Sequence, residues 1–187
     1  MEPILSSALV VALAEIGDKT MLLAIVLATR FRKPVPIIFG ILIATLANHG
    51  VAALLGKSIA GLLEGEWFQI AVGVSFIAMA AWTLVPDKLE DDEAKAPRFG
   101  AFLTTAVAFF VVEIGDKTQV ATIALGAQYQ AVVAVTLGTT IGMLLANVPA
   151  VYLGNALVER VPLKTVRIVA ALAFLVLGVW VLVQAVA

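Results

Sequence analysis

Six apolar stretches, each about as long as a bilayer's hydrocarbon core is thick, run through this sequence. Short polar clusters separate them, and their expected bounds are Ile4–Thr29, Val35–Leu55, Phe68–Val85, Gly100–Gly126, Ala131–Leu153 and Val166–Val186. A helix needs roughly 20 apolar residues to cross a membrane. Hydrophobic residues make up 62% of the chain and charged residues 13%, which leaves too little polar surface to cover a water-soluble globule. The sequence therefore predicts an all-α integral membrane protein with six transmembrane helices.

The composition also excludes several classes of function. The chain has no cysteine and a single histidine, which excludes disulfides, thiolate metal sites and sites built from several histidines. Its low charge and high apolar content are incompatible with a soluble enzyme or a nucleic-acid-binding protein. We expect a protein that is not an enzyme, holds no permanent cofactor and has the lipid bilayer as its main surroundings.

The basic residues predict how the chain is oriented in the membrane. Apart from Lys19 and Lys117, ten basic residues lie in the loops or at the edge of an apolar stretch, and of these only Lys57 belongs to the second or fourth loop. The other nine lie in the first, third and fifth loops: Arg30, Arg32, Lys33, Lys88, Lys95, Arg98, Arg160, Lys164 and Arg167. Loops rich in lysine and arginine stay in the cytoplasm. We therefore expect both termini outside and the acidic third loop, residues 87–98, as a cytoplasmic linker.

The two halves of the chain are copies of each other. A shift of 98 positions aligns residues 1–89 with residues 99–187 without a gap, and the hexapeptide Glu-Ile-Gly-Asp-Lys-Thr at residues 15–20 recurs at residues 113–118. Each half contains three apolar stretches, an odd number, so the halves should cross the membrane in opposite directions. The sequence thus predicts two inverted three-helix repeats, residues 1–86 and 99–187, an arrangement typical of secondary transporters.

The repeated hexapeptide places acids deep within apolar stretches. Glu15, Asp18, Glu113 and Asp116 would each be costly in a membrane, so we expect them to be functional. On one continuous helix, Glu and Asp would share a face, and each motif lysine would pair with the glutamate four residues before it. The glycine between the acids weakens the helix, admits a close neighbour or exposes backbone carbonyls.

Together the two motifs predict a site for a divalent cation that exchanges with protons. Four carboxylates and two ammonium groups carry a formal charge of −2, which one divalent cation or two protons would neutralise. Oxygen ligands suit Mg²⁺, Ca²⁺ and Mn²⁺. Four further polar residues are candidates for the ion path: Asn48, His49, Gln119 and Asn147. An isolated membrane histidine is more often a packing residue than a ligand, and both readings of His49 stay open.

With its doubled motif, the chain resembles the Golgi-type Ca²⁺/Mn²⁺:H⁺ antiporter family, which includes bacterial manganese exporters. The resemblance implies a cation site made by Glu15, Asp18, Glu113 and Asp116. It also implies that the remaining motif residues complete the signatures: Gly17, Lys19, Thr20, Gly115, Lys117 and Thr118. The short termini resemble those of bacterial members, which implies Mn²⁺ export in exchange for H⁺ across the plasma (inner) membrane.

Several alternatives remain after the resemblance is taken into account. The same site would serve Ca²⁺/H⁺ exchange equally well. An intramembrane hydrolase that uses the acids, or a structural subunit in which they only lock helices together, is less favoured. The adjacent lysines and the inverted symmetry argue against hydrolysis, and four acids against two bases argue against a simple lock. Whether the protein forms a homodimer is left open by the sequence.

Overall fold

The fold is built from helices alone in the part of the chain that the computed structural model describes, residues 1–62, 65–86, 99–154, 156 and 162–186. Eight helices are seen there and no strand. They are α1 (Glu2–Glu15), α2 (Lys19–Phe31), α3 (Pro34–Leu62), α4 (Glu66–Thr83), α5 (Ala101–Glu113), α6 (Lys117–Tyr129), α7 (Val132–Leu153) and α8 (Leu163–Val186). The all-helical class is confirmed, whereas the predicted linker, residues 87–98, lies outside the described residues.

Three of these helices, α3, α7 and α8, are long and apolar enough to cross a membrane, judged by length and composition. The predicted first and fourth spans, Ile4–Thr29 and Gly100–Gly126, are wrong as continuous helices. The first is divided into α1 and α2, and the fourth into α5 and α6. Both breaks fall inside the repeated hexapeptide, where hydropathy averaged over the stretch gives no sign of an interruption.

Many apolar side chains are exposed, and several polar side chains are buried beside the apolar core. Large apolar side chains on the helices are exposed, among them Leu5, Phe39, Leu54, Val111, Leu145 and Val176. Acidic and amide side chains are buried among the helices, among them Glu15, Asn48, Glu113 and Asn147. An apolar exterior with a few charged groups inside suits a protein surrounded by lipid.

Helices α3 and α7 pack against the other half of the chain through equivalent glycines. A Cβ atom at Gly40 of α3 would lie 2.8 Å from the Phe102 carbonyl oxygen of α5. At Gly138 of α7, the corresponding atom would lie 2.5 Å from the Ile4 carbonyl oxygen of α1. Gly138 is equivalent to Gly40, and Ile4 is equivalent to Phe102, because each pair is separated by 98 positions. The α3–α5 and α7–α1 contacts are therefore the same contact made twice.

Helices α4 and α8 pack against each other through the equivalent residues Phe76 and Phe174 and through two glycines that are not equivalent. The rings of Phe76 and Phe174 are stacked, with centroids 6.5 Å apart. Gly73 and Gly178 allow the backbones to approach, since a Cβ atom at Gly178 would lie 2.8 Å from the Gly73 carbonyl oxygen. Small residues at a helix interface permit this close approach in membranes.

One close contact between the two halves, that of α3 with α6, lacks an equally close counterpart at the equivalent position of α7. At Gly56 of α3, a Cβ atom would lie 2.0 Å from the Ile123 carbonyl oxygen of α6, and one at Gly126 would lie 2.5 Å from the Ala53 carbonyl oxygen. Gly154, the equivalent of Gly56, has nothing within 4 Å among the described residues. The two halves are thus similar in architecture and different in how tightly these helices are packed.

Candidate functional site

Each repeated hexapeptide forms a tight turn between two helices. The Asp18 backbone N–H donates to the Glu15 carbonyl at 3.0 Å, and that of Asp116 donates to the Glu113 carbonyl at 3.2 Å. Gly17 and Gly115 have φ angles of 85° and 78°, a conformation that other residues rarely adopt. A turn with positive φ at its third residue favours glycine there. The sequence therefore ends one helix at the glutamate and starts the next after the aspartate.

The two motif aspartates cap the helices that follow the turns. The Asp18 carboxylate accepts from the Lys19 backbone N–H at 2.9 Å, and the Asp116 carboxylate accepts from the Thr118 backbone N–H at 3.3 Å. Aspartate is a favoured N-cap because it satisfies an unpaired N–H and faces the positive end of the helix dipole. Both carboxylates are buried, and the helix ends offset part of the cost of burying them.

Three motif acids from the two halves of the chain converge. Glu15, Glu113 and Asp116 each offer a carboxylate oxygen, and these oxygens lie within 4.8 Å of one another. The side chains are 0%, 2% and 4% exposed, respectively. We call these three residues the acid cluster. Carboxylate oxygens this close together suit a divalent cation. The acid cluster is the only such group of three among the described residues.

Glu15 is held by hydroxyl and amide groups from several helices. Its Oε1 accepts from the Thr118 hydroxyl of the opposite motif at 2.6 Å. Its Oε2 accepts from the Thr20 hydroxyl and, at 3.3 Å, from the Asn147 side-chain amide of α7. The hydroxyls of the last threonine in each motif thus both donate hydrogen bonds to the same glutamate. This links the motifs directly through side-chain hydrogen bonds.

Glu113 has an equivalent partner on α3. The His49 Nε2 atom lies 3.2 Å from Glu113 Oε1, and both side chains are buried. His49 and Asn147 occupy equivalent positions, so each half supplies one polar side chain to the glutamate of the other half. The second carboxylate oxygen of Glu113 has no hydrogen-bond partner among the described residues. That oxygen is available to a ligand.

The remaining candidates for the ion path, Asn48 and Gln119, are bonded to each other beside the site. The Gln119 amide donates to the Asn48 side-chain oxygen, and the Asn48 amide donates to the Phe110 carbonyl at 3.2 Å. Gln119 also accepts from the Gly115 backbone N–H at 2.8 Å. Met21, at the equivalent position of the first motif, has no amide oxygen to accept such a bond. All four polar residues singled out from the sequence therefore lie at or beside the motifs.

The motif lysines contact groups outside their own hexapeptides. The Lys19 ammonium lies 3.4 Å from an Asp116 oxygen in the opposite motif. Lys117 donates to the Val85 carbonyl at 2.8 Å and lies 6.0 Å from the centroid of the Trp82 ring. The pairing of each lysine with the glutamate of its own motif stays a prediction.

Asp18, which the sequence predicted as a fourth ligand, lies outside the acid cluster. It lines a narrow cavity of about 10 Å³ together with Lys117 and residues of α4 and α8, including Thr83 and Arg167. Leu163 covers the adjacent turn, because a Cβ atom at Gly17 would lie 2.7 Å from its Cδ2 atom. At Gly115 such an atom would meet nothing within 4 Å among the described residues. The two identical hexapeptides therefore have different surroundings.

Two features of the site were not anticipated from the sequence. Met143, one turn before Asn147 on α7, accepts from the Asn147 amide through its sulfur at 2.9 Å. Val85, just beyond α4, supplies the carbonyl that holds Lys117. The spacing of four residues could have indicated Met143, since such residues are neighbours on a helix. No local pattern marks the carbonyl of Val85.

Comparison with known proteins assigns the chain to a family. The profile of the divalent cation/proton antiporter family GDT1 matches residues 3–91 and residues 101–187. The chain belongs to this family. The predicted resemblance is therefore confirmed, and GDT1 proteins are transporters, not enzymes. The two matched segments correspond to the two halves recognised from the internal duplication.

Several relatives extend the GDT1 assignment. A Vibrio cholerae protein with the printed name "Putative manganese exporter" is 52% identical over 169 residues, 90% of this chain and 84% of that protein. GDT1-like protein 3 of Arabidopsis thaliana is 28% identical over 201 residues, 93% of this chain and 68% of that protein. A GDT1-like protein of Synechocystis is 28% identical and matches 91% of this chain and 92% of that protein. No solved structure matches the chain.

Proposed function

We propose that this GDT1 protein exports Mn²⁺ from the cytoplasm in exchange for protons, through a cation site formed by both hexapeptides. The observation that carries the proposal is the convergence of Glu15, Glu113 and Asp116, whose carboxylate oxygens lie within 4.8 Å of one another. Asp18 is placed at the margin of this site, where it caps α2 and lines the adjoining cavity. The two hexapeptides then form one site rather than two.

Charge balance explains why one site would carry either a cation or protons. The acid cluster and Lys19 bring three negative charges and one positive charge together when all are ionised. A buried net charge is costly, and adjacent carboxylates repel one another. One divalent cation or two protons would each leave the site neutral. Loading with both, or with neither, would be unfavourable, and this is the condition for exchange.

The surroundings of the acid cluster favour Mn²⁺ over Ca²⁺. Oxygen ligands accept either ion, whereas imidazole nitrogen and thioether sulfur favour transition metals. His49 contacts Glu113, and Met143 contacts Asn147, which in turn bonds Glu15. The name of the Vibrio cholerae relative points to the same metal. Ca²⁺/H⁺ exchange through the same site is the second candidate, because carboxylates dominate the ligand set.

In the proposed topology, six spans form two inverted three-helix repeats, residues 1–86 and 99–187, joined by a cytoplasmic linker. Helices α1 and α2 together form one span, and α5 and α6 form its inverted equivalent. The repeated α3–α5 and α7–α1 contacts support this relation. The excess of basic residues in alternate loops favours both termini outside. We place the protein in the plasma (inner) membrane, and a single chain suffices because it supplies both motifs.

The proposal is tested with purified protein in liposomes that hold a pH-sensitive dye. Imposed Mn²⁺ gradients should drive proton movement in the opposite direction through the wild type. Glu113→Gln should reduce this movement to the rate of empty liposomes, because it removes one charge of the acid cluster. Glu66→Gln is the matched control, since Glu66 is exposed at the start of α4 and should keep the wild-type rate.

The same liposomes distinguish the two candidate cations. Equal gradients of Mn²⁺ and Ca²⁺ should give faster proton movement with Mn²⁺. A faster response to Ca²⁺ would favour the second candidate and leave the site assignment intact. Full activity of Glu113→Gln would contradict the site, and wild-type protein that moves Mn²⁺ without protons would contradict exchange.

A further inference from the structure

One face of α7 carries three polar side chains and a methionine, from its first turn to the candidate site. Thr136, Thr140, Met143 and Asn147 are separated by four, three and four residues, the spacing that places side chains on one helix face. Thr140 is 3% exposed, and Met143 and Asn147 are fully buried. At the far end of this face, the Asn147 amide donates to Glu15. We call these four residues the α7 polar face.

The hydroxyls on the α7 polar face have no hydrogen-bond partner within the described part of the protein. The Oγ1 atoms of Thr136 and Thr140 are both buried and unpaired, as is the Asn147 side-chain oxygen. Thr139 differs, because its hydroxyl donates to the Val135 carbonyl at 2.9 Å. An unpaired buried hydroxyl is unfavourable, and buried water commonly supplies the missing partner.

The α7 polar face runs beside the histidine of the site. A Cβ atom at Gly50 of α3 would lie 3.8 Å from Thr136 Cγ2, so this threonine packs next to the residue that follows His49. His49 Nδ1 is a further buried atom with no partner among the described residues. Unpaired donors and acceptors therefore continue from the first turn of α7 to both glutamate partners, His49 and Asn147.

The polar face occurs in one half of the chain only. The positions of α3 equivalent to Thr136 and Thr140 are Ile38 and Leu42. Apolar side chains there cannot bind water. The unpaired hydroxyls of Thr136 and Thr140 therefore have no counterpart at these positions of α3. In the proposed topology, the Val132 end of α7 faces outward, the side from which protons would enter.

We propose that a file of buried water molecules, bound by Thr136, Thr140 and Asn147, connects the acid cluster with the Val132 end of α7. The ligand is water, and the file is the route by which protons cross the outer half of the protein. Hydroxyls suit such a route because each can accept and donate a hydrogen bond at once. The role in proton movement rests on the proposed function, whereas the presence of water does not.

Water in the file is tested by hydroxyl-radical footprinting, in which radiolysis of bound water oxidises adjacent side chains. Met143 should be oxidised to the sulfoxide faster than Met79, which is 2% exposed and packed in an apolar cluster. The double variant Thr136→Val/Thr140→Val should reduce Met143 oxidation to the level of Met79. Equal protection of both methionines in the wild type would overturn the proposal.

Proton movement along the file is tested in the liposomes described above. The Thr136→Val/Thr140→Val variant should slow exchange about tenfold, the lower range for loss of polar groups around a metal site, and should keep wild-type Mn²⁺ binding. Thr139→Val is the matched control, and Thr136→Ser/Thr140→Ser should restore the rate. Exchange by the double valine variant at the rate of Thr139→Val would overturn the route.

Inactive wild-type protein would contradict the proposed function instead, and Met143 oxidation would still decide whether water is present.

Discussion

His49 and Asn147 illustrate how individual residues are shared between the halves. They lie at equivalent positions on α3 and α7, and each contacts the glutamate of the opposite half, Glu113 and Glu15. A histidine and an asparagine both present a nitrogen that can donate to a carboxylate. Donating to the carboxylate is therefore the property that the position requires. The imidazole ring adds a second nitrogen that the amide lacks.

We expect His49→Leu to reduce Mn²⁺/H⁺ exchange by about 10-fold to 100-fold, the usual cost of losing a polar partner of a metal ligand. His49→Asn should keep most of the rate, because asparagine already serves this position in the second half. Initial rates in liposomes measure both variants. A packing role for His49 would predict the opposite order, with the apolar leucine tolerated better than asparagine.

The repeated hexapeptide singled out the motif acids as candidates, because charged groups in apolar stretches are rare. Three of them, Glu15, Glu113 and Asp116, lie close together in the structure. The hexapeptide could not separate Asp18 from Asp116, since the two copies are identical and differ only in what packs around them. Leu163 lies against the first turn and nothing described lies against the second. Differences of this kind arise from tertiary packing and have no local signal.

At the scale of helices, the main error of the sequence prediction was the continuity of two spans. Hydropathy predicted six spans, and α3, α7 and α8 have the length and composition needed to cross a membrane. It missed the turns at Gly17 and Gly115, where a glycine followed by aspartate marks one helix end and the next helix start. The turns matter because they place four helix ends at the acid cluster.

Close packing of α3 against α6 should depend on Gly56. A Cβ atom there would lie 2.0 Å from a backbone oxygen of α6, whereas one at Gly50 would meet only Thr136 Cγ2 at 3.8 Å. Gly56→Ala should therefore lower stability by about 1–3 kcal/mol, the usual cost of overpacking, and Gly50→Ala should be tolerated. Thermal unfolding in detergent compares the two. Equal unfolding temperatures would show that α3 and α6 are not held this closely.

For the whole molecule, the halves share an architecture without being identical in conformation. The α3–α5 and α7–α1 contacts repeat, whereas the close approach of α3 and α6 at Gly56 is not matched at Gly154. A cleft of about 620 Å³, lined by Gln69, Gln128 and Gln184 among others, lies where α4, α6 and α8 meet. The proposed inverted-repeat transporter would show such a difference between its halves in one of its alternating states.

The inverted topology predicts that equivalent residues lie on opposite sides of the membrane. Arg32 and Gln130 both follow the second helix of a half with similar left-handed φ angles of 52° and 51°, and both are exposed. Because the chain has no cysteine, Arg32→Cys and Gln130→Cys each introduce a unique thiol. A membrane-impermeant thiol reagent added to intact cells should label Gln130→Cys alone. Labelling of both variants, or of Arg32→Cys alone, would contradict the proposed orientation.

The central claim is that the two hexapeptides form a single shared cation site, and calorimetric titration of the purified protein with Mn²⁺ tests it most directly. A shared site predicts one Mn²⁺ per chain for the wild type and loss of that binding in both Glu15→Gln and Glu113→Gln, since each removes a ligand of the same ion. Glu66→Gln should bind as the wild type does. Two ions per chain in the wild type, with one retained in each single variant, would contradict the account.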